Sequence, residues 1–459
     1  MLRMLHGKAG DERWNEQIQE KITPSEKEEI CMKDAAWPVP FASGLEYNSP
    51  AHGTWNIVHT GMLLPGSHQI YVCAPNCNRG VVLTAKEMNA SDRFSFVELK
   101  EEDLFDGQME ELVIDGVSDI LNRLADKPSA VFLFTVCVHH FMGCDIPYIY
   151  DTLRKKFPEQ IFIEAYMDPI MQKEGLTPDQ KLRAALYDPL PFVKKNPGQI
   201  NVIGGDFPLR EESEIKQMVK KAGFDVKDLT ECRTWEEYLS MAEGSINIAT
   251  YPPACYGAEK LSKRLGMKYL YLPMSFSYEE IDRELQMLAK LVPGAQMPDV
   301  KSLREACDRM LEETGELLKD TPVVLDATFT PRILGLARLL SEHGIRVKEI
   351  FVDSFSPEER KDYLWLSEHE PDLVLCKTVH PKMRIYHRSS DEKILALGQK
   401  AAYFTRTPYF VNMVEGGGLF GFDGILELCR RMQEAFVTRK DTKDLVIRKG
   451  LGCESCLCV

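Results

Sequence analysis

The chain lacks any excess of positive charge: 56 Lys and Arg face 70 Asp and Glu over 459 residues, a formal net charge of -14. Without a basic face to meet a phosphate backbone, no nucleic-acid partner is expected. Long hydrophobic runs are missing too. No window approaches the roughly 18 uncharged apolar residues of a membrane span, and the opening MLRMLHGKAGDERWNEQIQEK has no apolar core of the kind an export signal needs. A cytoplasmic protein with no membrane contact is expected. No G-x-x-x-x-G-K-[ST] phosphate loop is present, so no nucleotide should bind to this chain. The interior also carries none of the paired C-x2-C and His spacings of zinc fingers.

Cysteine, by contrast, is plentiful. Thirteen cysteines, an odd number without an export signal, argue for reduced thiols rather than a disulfide framework. Four fall in two short clusters: Cys73 and Cys77 in YVCAPNCNRG, and Cys137 and Cys144 in FLFTVCVHHFMGCD. Each cluster follows or ends an apolar run, so buried strands would deliver the thiols to the rim of a sheet. Any one of them is accounted for as a small buried hydrophobe; both clusters together favour metal ligation. Ligands scattered along a chain suit iron and sulfide better than zinc. His139 and His140 gain weight as cluster neighbours because Cys137 is adjacent, and Arg79 could either screen a cluster's charge or pair with a surface carboxylate.

With 44% hydrophobic and 27% charged residues, the chain is globular in composition and too long for one core. A polar segment (1–44) precedes three α/β series (45–195, 196–300 and 301–437), and a cysteine-rich tail (438–459) follows them. In the first series AVFLFTVCV (130–138) and IFIEAYM (161–167) read as strands, with helices over 109–124 and 146–156. In the second, INVIGGDFP (200–208), SINIATYP (245–252) and KYLYLP (268–273) alternate with the helical stretches EESEIKQMVKKAG and ACYGAEKLSKRLG. The third opens with TPVVLDATF (321–329) and continues through VKEIFVD, DLVLCKT and PYFVNMV. The expected fold class is α/β, with three Rossmann-like parallel-sheet domains whose sites lie beyond the carboxyl ends of strands. Cys137 to His140, Thr250 to Cys255 and His380 to His387 fall in such places. The glycine-rich EGGGLFGFDG (415–424) reads as a tight turn opening a helix, whose amides could also face an anionic group.

The segments NSPAHGTW, LLPGSHQIYVCAPNC, DLFDGQMEELVIDGV, FLFTVCVHHFMGCDI and GFDGILELCRRM follow one another in an order that resembles nitrogenase component 1. The resemblance extends to that family's cofactor-assembly scaffolds and tetrapyrrole-reducing relatives and covers roughly residues 45–437. It implies three sheet domains of the nitrogenase component 1 type. It also implies a cluster at a subunit interface, held at the positions matched by Cys73 and Cys137. The first cluster cysteine of the family would lie near Ser49 and is missing. Cys77 and Cys144 are additional thiols that could replace it, and Cys31 is a further candidate if the N-terminal segment folds back over the cluster.

The family's cofactor cysteine would align near Tyr251, with Cys255 about a helical turn further on, and His380 and His387 lack the cofactor-binding context. Dinitrogen reduction is therefore not expected. What the resemblance implies is an iron-sulfur cluster of four irons or more and electrons from a separate ATP-dependent iron-protein reductase. It further implies a homo- or hetero-oligomer with a homologous subunit, and a small-molecule substrate. One alternative is a scaffold on which a metallocofactor is assembled without turnover; another is a cysteine-bearing α/β binding protein with no cluster. Cys453, Cys456 and Cys458 lie outside the resemblance and could bind metal, pass thiols on, or form a plain chain end.

Overall fold

The structure, a computed structural model, describes residues 23–47, 49, 57–87, 89–105, 107–168, 175–386 and 392–442. Its first strand, β1 (Glu29–Cys31), comes from the polar N-terminal segment and lies antiparallel to a strand of the third sheet. Three parallel sheets follow in chain order. The first contains β2 (Ser67–Cys73), β3 (Phe94–Glu98), β4 (Ala130–Val136) and β5 (Ile161–Met167), in the spatial order β3-β2-β4-β5. The second contains β6 (Asn196–Ile203), β7 (Asp225–Asp228), β8 (Gly244–Ala249) and β9 (Lys268–Tyr271), in the order β7-β6-β8-β9. The third contains β10 (Val323–Asp326), β11 (Val347–Phe351), β12 (Val374–Cys376), β13 (Leu395–Leu397) and β14 (Phe410–Val411), in the order β1-β12-β11-β10-β13-β14. The expected three-domain parallel α/β architecture is thus present.

Covering helices on both faces explain the composition of the strands. Every residue of β2 and β4 is buried, as parallel strands covered on both sides require. Sequence-encoded caps set the helix starts. Asp145 accepts a hydrogen bond from the Tyr148 amide at 2.9 Å and starts the helix Ile146–Lys156. Thr177 and Gln180 form a reciprocal box at the start of Pro178–Ala185. One hydrophobic core joins the second and third sheets, with Ile248 and Leu325 both in it. A second core joins the first sheet to Leu182, on the helix Pro178–Ala185 that closes the first series, and to Leu261, on the helix Cys255–Leu265 of the second. The same short strand order, with crossovers to either side, places the point of reversal between β2 and β4, between β6 and β8, and between β10 and β13. Sites in such sheets gather at those points.

Candidate metal centre at the rim of the first sheet

Strands β2 and β4 pair in parallel from Ser67 opposite Ala130 to Tyr71 opposite Phe134. Cys73 ends β2, and Cys137 opens the short helix Cys137–Phe141 directly after β4. Both thiols therefore stand at the point where the first sheet reverses. Cys77 joins them from the first turn of the helix Pro75–Glu87, whose leading Pro75 needs no amide partner. Its amide donates to Ala74 O at 2.9 Å.

The three sulfurs share one electrostatic neighbourhood. Burial pushes the Cys73 thiol up to about 12, and Cys77 adds to the effect. The Cys73 Sγ donates to Asn78 Oδ1 at 2.5 Å. Cys137 is also raised, first by burial, then by the charge of Asp168, then by Cys77. Asp168 is the residue after β5, so the ends of three neighbouring strands, β2, β4 and β5, supply this rim. Thiols held protonated in this way must lose protons to a metal as it binds.

A second group lies beside the first. The Cys144 amide donates to His139 O at 3.0 Å, and its thiol is raised by burial and by the charge of Glu110. The Glu110 carboxylate accepts from the Asp145 amide at 2.8 Å, tying this turn to the helix Met109–Arg123. His139 is buried and its pKa lies below the usual imidazole range, chiefly through desolvation. Its Nδ1 faces the Val136 backbone at 3.2 and 3.3 Å, while its Nε2 has no hydrogen-bond partner among the described residues. His140 is exposed, its ring edge-on to Phe141. Asp168 and Glu110 were not among the expected neighbours. Asp168 had a legible signal, since it follows IFIEAYM as Cys137 follows its own strand.

The other expected residues are placed as follows. Cys31 ends β1 opposite Val374, at the edge of the third sheet. Ser49 is buried, and its Oγ has no partner among the described residues. Cys255 starts a helix with its Sγ 3.2 Å from the Tyr269 hydroxyl, and His380 caps a single turn by accepting from the Lys382 amide at 3.2 Å. The Arg79 side chain, His387, Cys453, Cys456 and Cys458 lie outside the described residues. The amides of Glu415, Gly416 and Gly417 donate to the carbonyls of Thr328, Phe329 and Val414 at 2.8, 2.8 and 3.0 Å. Those amides are therefore turned to the chain's own backbone and not to an anion. Tyr251 lines a small cavity of about 20 Å³ between the second and third sheets, and the residues around that cavity include no thiol or imidazole. Among the described residues no three His, Cys, Asp or Glu side chains converge to enclose a metal ion, and no helix is long and apolar enough to cross a membrane.

Three doubly wound parallel sheets, with thiols at the reversal point of the first, define an α/β protein of three-sheet architecture. The chain belongs to the nitrogenase component 1 type oxidoreductases, whose family pattern matches residues 70–437. Two solved structures of nitrogenase Cp1 share the fold. One, at pH 6.5, is 13% identical with a TM-score of 0.63, covering 86% of this chain and 94% of that one. The other, at pH 5, is 12% identical with a TM-score of 0.56, covering 92% and 97%. Among curated protein sequences none matches the chain. Proteins of this family bind iron-sulfur clusters. The rim offers donors of the type such a group takes, the thiols of Cys73, Cys77 and Cys137, and the nearby His139 Nε2 is a buried polar atom without a hydrogen-bond partner among the described residues.

Proposed function

We propose that this chain is the substrate-reducing component of a two-component system. It would accept electrons from an ATP-dependent iron-protein reductase through an iron-sulfur cluster and pass them to a small molecule other than dinitrogen. The cluster supplies low-potential one-electron transfer when bound. Cys73, Cys77 and Cys137 hold it in this proposal, Cys144 is the reserve thiol, and His139, His140 and Arg79 are its neighbours. The supporting observation is placement: Cys73 ends β2, Cys77 lies in the first turn of the helix that follows it, and Cys137 directly follows β4, so all three stand at the reversal point of the first sheet. Burial and His139 would set how the cluster is screened from water, which in turn tunes its potential.

A homologous subunit would complete the ligand set by covering this rim. In support, Phe141, on the helix that Cys137 opens, is 69% exposed, and Phe105, on the helix that follows β3, is 81% exposed. Apolar side chains left exposed beside a site mark a surface meant for contact. None of the ten described cysteines is in a disulfide, which suits a reducing, cytoplasmic setting.

Anaerobic purification with iron and sulfide quantification tests the cluster, and addition of a component 2 reductase with ATP tests turnover. Iron-bearing protein that consumes electrons catalytically is the expected result. Colourless, iron-free protein would overturn the proposal, and stoichiometric release of the cluster to another protein would replace it with an assembly scaffold.

A further inference from the structure

Asn78 is turned towards a sulfur that packing alone would leave among apolar neighbours. It lies in the first turn of the helix Pro75–Glu87, where its backbone amide donates to Ala74 O at 3.2 Å. Its side chain reaches back over the end of β2, so that the Cys73 Sγ donates to its Oδ1 at 2.5 Å. Cys73 is fully buried and Asn78 half-buried. The carboxamide is therefore the polar group this sulfur meets in place of water. Neither Cys77 nor Cys137 has such a side-chain partner among the described residues.

A buried thiol asks for no partner of this kind. Free cysteine packs as a small hydrophobe, and its S–H is a weak donor, so stability alone would be served as well by an apolar side chain at position 78. The carboxamide has more to offer the sulfur in its other state. A thiol gives up its proton when it binds a metal, and the thiolate that results can only accept. Rotation about the Asn78 Cβ–Cγ bond meets that change by bringing an Nδ2–H to the place where Oδ1 stood. A hydrogen bond to an ionised partner is roughly twice as strong as a neutral one. Asn78 thus favours Cys73 as a ligand over Cys73 as a thiol.

We infer that Asn78 is a positioning residue that raises the reduction potential of the metal centre by hydrogen-bonding the Cys73 sulfur once that sulfur is a ligand. The inference rests on the cluster proposed for this rim. Hydrogen bonds to ligand sulfurs tune the potential of such a group, and the sign follows from charge: an added electron makes the sulfur more negative and strengthens the bond from Nδ2–H. The reduced state gains more from Asn78 than the oxidised state does. Removing the donor makes reduction harder, and with Cys73 covered no water takes its place.

The test uses full-length protein prepared anaerobically, with iron and sulfide counted first. Asn78→Leu and Asn78→Asp both remove the donor, the second with almost no change of shape. At the parent's midpoint potential, the ratio of reduced to oxidised centres in each iron-bearing variant is expected to fall by about tenfold, which for one electron is about 59 mV. A dye-mediated redox titration followed in the visible spectrum reads this directly. In parent protein isotopically labelled at the nitrogen of its asparagine side chains, pulsed magnetic resonance of the reduced centre should show a weakly coupled nitrogen, which Asn78→Leu should remove. Variants that hold iron at the parent's potential overturn the inference while leaving the cluster in place. So does an iron-bearing parent without the coupled nitrogen, a measurement that decides the matter even if neither variant keeps its iron. Iron-free parent protein overturns the cluster itself, and the role of Asn78 falls with it.

Discussion

Cys73 and Cys137 are carried by one pair of hydrogen-bonded strands: two residues beyond the Tyr71–Phe134 pairing, Cys73 comes level with Val136, the residue before Cys137. The Tyr71 and Phe134 rings stack with centroids 4.2 Å apart and 5° between planes just below this rim. A rigid aromatic floor under two thiols is what a preorganised ligand pair needs, since loss of freedom on metal binding is then small.

Iron retention should follow that geometry. Replacing Cys73, Cys77 or Cys137 by Ala is expected to remove most of the iron from anaerobically prepared protein, whereas Cys144→Ala keeps the larger part. His139→Ala should weaken retention by about 10–100-fold, the usual cost of losing a residue behind the ligands. Iron and sulfide per chain, with the visible spectrum, are the measurements. Full iron in Cys77→Ala would take Cys77 out of the ligand set.

How much of this was legible in the sequence differs from element to element. The helix over 146–156 was readable to the residue, because Asp145 and Pro147 are local start signals and Lys155 and Lys156 close the last turn. AVFLFTVCV reads as a strand through Val138, yet the strand stops at Val136 and Cys137 begins a helix. Apolar runs do not reveal where a strand becomes a helix, since both are buried. The edge strands β1 and β3 are only three and five residues long, too short for an alternation to stand out. The Arg183–Asp206–Tyr251–Glu415 chain was beyond reach, because its members lie up to 232 positions apart and only tertiary packing brings them together.

The glycines of the 415–424 loop should be intolerant of side chains. A Cβ at Gly418 would sit 2.1 Å from Pro208 O, in a backbone with φ of +72°. Gly418→Ala is expected to cost about 2–5 kcal/mol, combining backbone strain with a clash that involves main chain and cannot relax cheaply. Gly143 has a similar φ of +66° with nothing within 4 Å, so Gly143→Ala should cost only about 1–2 kcal/mol. Denaturant midpoints at constant m-value compare the two; equal losses would mean that the Pro208 contact is absent in solution.

Arg183 should be among the most costly side chains to truncate. Arg183→Met keeps its bulk but strands Asp206 and Asp179, both buried, without their partner. Breaking a buried pair from one side costs about 3–5 kcal/mol. Adding Asp206→Asn should recover part of that loss, because the stranded charge goes with it. A double variant no more stable than Arg183→Met would place the cost in packing alone.

Acid should unfold the first domain through His68. This residue sits in β2, 4% exposed, with Nε2 2.8 Å from Ser95 Oγ. Desolvation, and then the Arg93 charge, bring its pKa down to about 4 from 6.5. The folded state therefore holds the ring neutral, while the unfolded chain protonates it from about pH 6.5 downward. Stability from this source is fully present above that value and is lost as pH falls towards 4, by at most about 3 kcal/mol at 1.36 kcal/mol per unit. His68→Gln offers Ser95 a hydrogen-bonding group that does not titrate. Its unfolding free energy should vary less between about pH 7 and about pH 4 than the parent's, and parallel curves would show that His68 is already charged in the folded protein.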